Sequence, residues 1–542
     1  MDARRSVVIA GGGPAGLCLA IELGLRGVPC LLLDDKPDTT RHPAANATQA
    51  RTMEHFRRMG VAREIRAQGL PADYPTDIAY FTRYAGRELA RLRLPPAAQT
   101  QDLARRATGS WSTPELPHRC SQMYIERILK RRAREFATND IRYGWRVAGF
   151  RDLGTRVEVD AQPVGGAIAT TIACDYLVGC DGARSMVRDA LGIRLEGEGT
   201  ASRDFMGGAM LAAHIRSAEL YRVIRGERAW MYWAFNPERR AFMPALNGTD
   251  EFVFHTQLTE RQAAGEVSEA QVRAMVAQAV GAEFAFEVLY TARWNAGYTL
   301  VAQAFSRGRV FLAGDAAHLF TPTGGLGYNT AVDDVVNLGW KLAATLQGWG
   351  GPQLLASYEA ERRPSAQRNT RIARGFADSI GNFAPHARIE EESAEGERAR
   401  EEAGRYLLAH AEREFSIPGV TLGVRYDGSP IVLPDGPPPA DTINEYHSSG
   451  VPGGRAPHLW LGEDSLYDRL GGEFTLLHLA GPAPRSRRGV PLTTLDLTHL
   501  PQARQLYGAD LALIRPDQHI AWRGAHDADP VAALARACGQ AS

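Results

Sequence analysis

Nowhere in this 542-residue chain do eighteen apolar residues follow one another, so the sequence predicts no membrane-spanning helix. Its six cysteines (Cys18, Cys30, Cys120, Cys174, Cys180 and Cys538) form no CxxC pair. That spacing excludes dithiol chemistry and a cysteine-based zinc site. Cys18 and Cys30 fall in a predicted helix and strand, where apolar packing is the expected role. No charge predominates: 62 Lys and Arg face 62 Asp and Glu. A neutral chain offers no electrostatic case for nucleic acid or an anionic membrane as partner. No secretory leader is expected either, because Met1 to Arg5 run directly into a buried-strand pattern. The expected location is cytoplasmic, where structural disulfides are rare. What is present, 44% hydrophobic and 23% charged residues, is an ordinary globular composition long enough for two to four domains.

The first 34 residues read as strand 7–10, helix 15–26 and strand 28–34, the opening of a parallel α/β sheet. An Arg-rich amphipathic helix is predicted over 121–137, and residues 156–180 end as a strand running into a loop. Between 205 and 300 the pattern becomes strand-like and aromatic, suggesting an inserted antiparallel sheet. Residues 388–405 read as a solvated helix face, and 429–456 as a Pro- and Gly-rich linker. The stretch 457–542 has its own strands and a closing helix, and reads as a separate α/β domain.

The Gly11-Gly12-Gly13-Pro14-Ala15-Gly16 loop matches GxGxxG at Gly11, Gly13 and Gly16. Gly11 permits the turn out of the strand, Gly13 lets a pyrophosphate approach the backbone, and Gly16 lets the helix pack on the sheet. Asp34, followed by Asp35, ends the second strand, where a carboxylate accepts ribose hydroxyls. These features predict dinucleotide binding and leave FAD and NAD undistinguished.

Two further motifs separate them. Cys180-Asp181-Gly182-Ala183-Arg184 follows a strand, and 308–318 is a strand ending in Gly314-Asp315. Pro322-Thr323-Gly324-Gly325-Leu326-Gly327-Tyr328-Asn329 then opens a helix. With these motifs in this order, residues 5–380 resemble the flavoprotein aromatic hydroxylases, the para-hydroxybenzoate hydroxylase and phenol hydroxylase family of single-component monooxygenases.

The resemblance implies an α/β fold: a Rossmann-like FAD-binding domain (1–204 and 300–385), an inserted antiparallel-sheet substrate domain (205–299), a helix and linker (386–456), and a thioredoxin-like C-terminal domain (457–542). Lacking CxxC, that last domain is left a packing or homodimer-contact role. The resemblance also implies FAD as cofactor, NADH or NADPH as a transient co-substrate, and O2 as oxidant. The reaction it implies is hydroxylation of a small phenolic compound through a flavin C4a-hydroperoxide. Gly11, Gly13, Pro14, Ala15, Gly16, Asp34, Asp35, Asp181, Gly314 and Asp315 would hold FAD, with Gln122 near its ribityl and pyrophosphate groups or simply a cap before its helix. Pro322 would lie beside the flavin, and Gly324 to Asn329, including Gly325, Leu326 and Gly327, would offer amides to the flavin N1–C2=O edge.

The chain departs from the family at Ala44, where many relatives carry an Arg; Arg41 or Arg51 is left to supply that charge. Asn46 stands where some phenol-type relatives have a basic His, and an amide orients a phenol without deprotonating it. His42 is then a candidate base, against its reading as an ordinary loop histidine. In the aromatic segment Arg222, Trp230, Tyr232, His255 and Trp294 are candidates for the substrate site, against core packing for the rings and surface charge for Arg222.

Alternatives remain on the same scaffold. A disulfide reductase would need CxxxxC, and a flavin halogenase usually carries Trp-x-Trp-x-Ile-Pro, which Trp230-Met231-Tyr232-Trp233 does not match. A Baeyer–Villiger-type or decarboxylating monooxygenase and a non-catalytic FAD-binding scaffold stay open.

Overall fold

A computed structural model describes residues 5–166, 168–199, 205–482 and 489–540. Its first layer grows from the Arg5–Ala10 strand, whose Val7, Val8 and Ile9 are fully buried. Parallel neighbours flank it: Thr170–Gly179 on one side and Cys30–Asp34 on the other. Val310–Leu312 and Asn139–Tyr143 extend the sheet on either side, again in parallel. The central strands Cys30–Asp34 and Val310–Leu312 are buried on both faces, which is why they read as unbroken apolar runs, whereas Thr170–Gly179 alternates over its first half. The Pro14–Leu25 helix lies between this sheet and the long Leu326–Leu346 helix. The two helices approach so closely that a Cβ at Gly339 would fall 2.7 Å from the Glu22 Cβ.

The second layer is a seven-stranded sheet in the order Glu287–Ala296, Gly208–Arg216, Glu251–Gln257, Arg240–Pro244, Met231–Phe235, Ile78–Phe81, Glu88–Leu92. This corrects the predicted boundaries of the inserted domain. Two of its strands come from the first segment, and Ile78–Phe81 pairs in parallel with Met231–Phe235. Ile78–Phe81 is a short apolar run without alternation, so periodicity gave it no signature. Residue 204, the predicted boundary, lies outside the described residues.

The predicted solvated helix over 388–405 is observed as Ala394–Phe415, and one of its faces is buried. A Cβ at Gly404 would come within 2.4 Å of the Leu89 carbonyl oxygen, so the helix lies directly on the edge of the second sheet. The helix Ala356–Gly381, with Pro364 inside it, was unmarked by sequence and carries much of the packing between layers.

The C-terminal sheet has the order Leu492–Asp496, Phe474–His478, Leu511–Ile514, Ile520–Gly524, with the first pair parallel and the others antiparallel. It is tied to the first layer by buried charge. Arg515 donates to Glu361 (2.7 and 2.8 Å) and to Asp517 (3.0 and 2.7 Å), and Lys341 donates to Glu361 at 2.6 Å. Burial would raise the Glu361 carboxyl, but Arg515 and Lys341 prevail and hold it at about 2. The predicted linker does not swing free: Ser429 bonds Glu361 and Arg455 is 2% exposed, donating to Glu54 at 3.0 Å. All six cysteines are free, and among the described residues no group of metal ligands and no helix long and apolar enough to cross a membrane occurs.

Candidate active site

The Gly loop separates packing from binding. A Cβ at Gly11 would lie 2.2 Å from the Cys180 carbonyl oxygen, and one at Gly16 would lie 1.9 Å from that of Gly11. Both glycines are therefore required by the protein itself. Gly13 is different: a Cβ there meets nothing within 4 Å, and its φ of −75° is open to any residue. The space beside it is where the motif's geometry puts a pyrophosphate. No side chain caps the Pro14–Leu25 helix, so its first amides, including that of Ala15, are left for an anion. Asp34 accepts from the Gly12 amide at 2.6 Å and the Lys36 amide at 2.8 Å, which fixes its carboxylate at the strand end with lone pairs to spare for a ribose. Asp35 is exposed one residue beyond.

Asp181 braces the loop from the other side, accepting from Ser185 Oγ and, at 3.0 Å, from the Val187 amide. Gly314 adopts φ +61° against Ala15 and Ala331, and donates to Asp334 at 3.1 Å. Asp334, fully buried, also meets His318 at 2.6 Å and Arg362 at 2.8 Å. This buried triad sets the Gly314-Asp315 turn, and sequence reading missed it because its members are scattered over 45 residues. Asp315 is open to solvent on one side while protein crowds the others; burial raises its carboxyl and His318 opposes that.

The expected flavin loop is built on two left-handed glycines, Gly324 (φ +70°) and Gly325 (φ +62°). Asn329 clamps it, donating to Gly325 O (2.6 Å) and Ala47 O (2.9 Å) and accepting from the Gln49 amide (2.8 Å). The set of free amides is narrower than expected. Gly324 donates to Glu414 at 2.9 Å and Gly325 to the Pro322 carbonyl at 3.1 Å. The first helical amides, from Leu326 and Gly327 onward, are those without an intrahelical acceptor, and no side chain caps them. Pro322 is exposed at the loop's start. Gln122 takes part in pinning the 44–46 loop, its amide donating to Ala45 O at 2.7 Å and its side chain to Glu126 at 2.7 Å.

Arg51 is buried, and its guanidinium is engaged within the protein, donating to Glu54 (2.7 Å), Gln518 (2.8 Å) and the Asp517 carbonyl (2.6 Å).

The second sheet has two faces with different roles. Tyr80, Trp233, Phe242 and His255 stand in register across four strands on one of them, with Trp294 beyond at 5.8 Å from His255. Val253 on this face packs with Met123 of the first layer, so the face looks towards the FAD half. Four polar atoms along it are buried without a hydrogen-bond partner: Tyr80 Oη, Trp233 Nε1, His255 Nδ1 and Trp294 Nε1. Proteins rarely leave such atoms unpaired, which makes this row the candidate surface for a ligand. Burial pushes the His255 imidazole down to about 3, so it is neutral near pH 7.

Tyr232 lies on the opposite face, packed on Phe81 and Tyr84, with its hydroxyl accepting from the Ala229 amide at 2.8 Å. It is core, as strand alternation requires once Trp233 faces the first layer. Trp230 precedes the strand and stacks beneath Arg119. Arg222 is exposed on the short Leu220–Val223 helix, outside the cleft face. His42 stacks on Tyr290 at 3.6 Å, and burial followed by Arg41 lowers its pKa. Asn46 donates to Ala44 O at 3.0 Å while its Oδ1 is buried and unpartnered, free to accept.

Known proteins resemble this chain along its whole length. The FAD binding domain family matches residues 4–373, and the family of aromatic-ring hydroxylase C-terminal regions matches 449–541. The FAD-dependent monooxygenase apdD of Emericella nidulans is 30% identical over 96% of this chain and 87% of its own. Phenol 2-monooxygenase of a Pseudomonas species is 29% identical over 97% and 91%. The solved structure of RebC with bound 7-carboxy-K252c superposes with a TM-score of 0.87 at 32% identity, covering both chains fully, and another RebC structure carries reduced flavin. With the first match covering most of its length, this chain belongs to the FAD-dependent aromatic-ring hydroxylase family of flavoprotein monooxygenases.

Proposed function

We propose that this monooxygenase hydroxylates a phenolic aromatic compound, with FAD as cofactor, NADH or NADPH as transient reductant and O2 as oxidant. The observation that carries the reading is the row of unpartnered polar atoms on Tyr80, Trp233, His255 and Trp294 along an aromatic face turned to the FAD half. FAD, when bound, supplies the hydride acceptor and the centre that activates O2.

The chain's own residues do the rest. Gly13, Ala15 and the neighbouring helical amides receive the pyrophosphate, Asp34 the adenosine ribose, and Asp315 the ribityl chain. Amides from Leu326 onward stabilise negative charge on the flavin edge. The aromatic wall excludes water and stacks the substrate ring, while the two indole N–H groups donate to substrate oxygens. His255, neutral, orients rather than deprotonates, and Asn46 Oδ1 accepts the phenol proton in a hydrogen bond. His42, stacked on Tyr290, would take that proton. The C-terminal sheet is a thioredoxin-like unit reduced to packing.

Oxidation of NADH and NADPH, followed with O2 uptake and product analysis across a panel of phenols and polycyclic phenols, tests this. Substrate-stimulated NAD(P)H consumption that never yields a hydroxylated product would overturn it.

A further inference from the structure

The helix opening at Gln122 follows a two-residue strand, His118–Arg119, paired antiparallel with Ala47–Thr48. Its two side chains part, as successive residues of a strand must. His118 turns to the Ile65 carbonyl at 3.2 Å, inside the FAD half. Arg119 turns to the substrate sheet, with its guanidinium carbon 4.3 Å from the centre of the Trp230 ring.

Arg119 is 6% exposed. The other deeply buried arginines meet carboxylates: Arg51 and Arg455 share Glu54, Arg362 holds Asp334, and Arg515 holds Glu361. Arg119 meets none among the described residues, and its Nη1 is buried without a hydrogen-bond partner. Nothing offsets its desolvation, which pulls the guanidinium down to about 10. An indole beside it attracts a cation without neutralising it, so a buried, unpaired guanidinium is a receptor short of its anion.

Its surroundings say which anion. Trp230 meets Phe415 edge-on, and the preceding residue, Glu414, holds the Gly324 amide of the flavin loop. Ala47, paired with Arg119 in register, sits where a Cβ on Gly325 would touch it at 3.0 Å. Asn46, with its unpartnered Oδ1, is the next residue back. Arg119 therefore stands where the sheet, the flavin loop and the 44–48 loop converge. The cofactor's diphosphate has its own receptor on a different sheet, at Gly13.

The geometry points to Arg119 as the receptor for an oxyanion carried by the aromatic substrate, a carboxylate or an ionised hydroxyl, an inference resting on the hydroxylase reading above. A guanidinium carries a planar fork of donors, which suits a carboxylate's two oxygens. The same charge beside an ionised hydroxyl would hold it ionised, the form with the more nucleophilic ring.

The test uses the FAD-loaded protein and equilibrium titration of the flavin absorbance with two probes, 1-hydroxy-2-naphthoate and 1-hydroxy-2-naphthamide, and with 1-naphthol above and below its ionisation. Wild type is expected to favour the naphthoate, or ionised naphthol, by about 30-fold or more. Arg119→Gln removes that preference, Arg119→Lys keeps part of it, and FAD affinity stays within about threefold in both. A wild type that shows no preference, binding neither probe included, overturns the assignment. So does a preference that survives Arg119→Gln, or a fall in FAD affinity that parallels the loss. Because the readout is binding, Arg119-dependent preference without any hydroxylated product would defeat the hydroxylase reading and leave the receptor standing.

Discussion

Two glycines three positions apart should respond oppositely to the same methyl group, and Gly13→Ala against Gly16→Ala is the sharpest test of the cofactor cradle. Gly13 has φ −75° and empty space around its would-be Cβ. Alanine is a poorer helix N-cap than glycine by about 1 kcal/mol, and it stiffens the unfolded chain by about 0.4–1 kcal/mol in the other direction. The flavin-free Gly13→Ala protein should therefore unfold within about 1 kcal/mol of wild type. Its methyl occupies the path of the pyrophosphate, costing one or two charge-assisted amide bonds, roughly 2–4 kcal/mol or a factor of about 30 to 1,000 in FAD affinity. Gly16→Ala sets a Cβ 1.9 Å from the Gly11 carbonyl oxygen and 3.3 Å from Ile9, so helix and strand must separate. That overpacking costs about 1–3 kcal/mol or more before any ligand is added. Urea unfolding of flavin-free protein, paired with fluorescence titration of FAD, reads both quantities. A Gly13→Ala protein that binds FAD as wild type does, or that loses stability as Gly16→Ala does, refutes the reasoning.

Other expectations concern charge. His255→Ala should raise the substrate KM about tenfold, the worth of one hydrogen bond, without moving the pH profile of kcat/KM between pH 6 and 9, since an imidazole near 3 does not titrate there; an ionisation lost from that profile would show His255 to be a base. Burial holds His118, His255 and His458 near 3, and burial with Arg51 holds His55 near 4. All are neutral in the fold but protonate near 6.5 when unfolded, so stability should fall as pH drops below about 6.5, by up to roughly 1.4 kcal/mol per pH unit for each, in a series of urea melts from pH 8 to 5. A flat series would contradict the buried, neutral histidines. Glu54→Gln leaves the guanidinium groups of Arg51 and Arg455 buried without their carboxylate and should cost about 3–5 kcal/mol in the same melts; a loss under 1 kcal/mol would mean that the pair is solvated.

What could be read from sequence was local. The Gly loop, Asp34 and the Gly314-Asp315 turn are each fixed by a few adjacent residues whose conformations admit little else. The second sheet was only half legible. Its strands are covered on both sides, by the FAD half and by the Glu269–Val280 helix, so Tyr232 and Trp233 are both aromatic and both buried and alternation does not say which faces the cleft. Ile78–Phe81 joins that sheet across some 150 residues of chain, a pairing no local pattern encodes. Arg51 looked like a free cation near a phosphate site because its partners, Asp517 and Gln518, lie more than 460 positions away. Arg119 carried no signal at all: its meaning lies in the carboxylate it lacks.

The knot between the two ends of the chain bears on how the protein is made. Glu54 emerges from the ribosome early, yet Arg455, which shares its carboxylate, is 401 residues behind. At about 5–20 residues per second, that partner arrives roughly 20 to 80 s later, and Asp517, which anchors Arg51, later still. Until then the helix Ala50–Arg58 cannot bury its acid and its guanidinium at full value. The nucleotide-binding half, although first to be synthesised, is thus expected to settle last, once the closing strands have been released. A nascent chain halted before residue 455 should remain open to protease around residue 54, however complete its Gly loop may be.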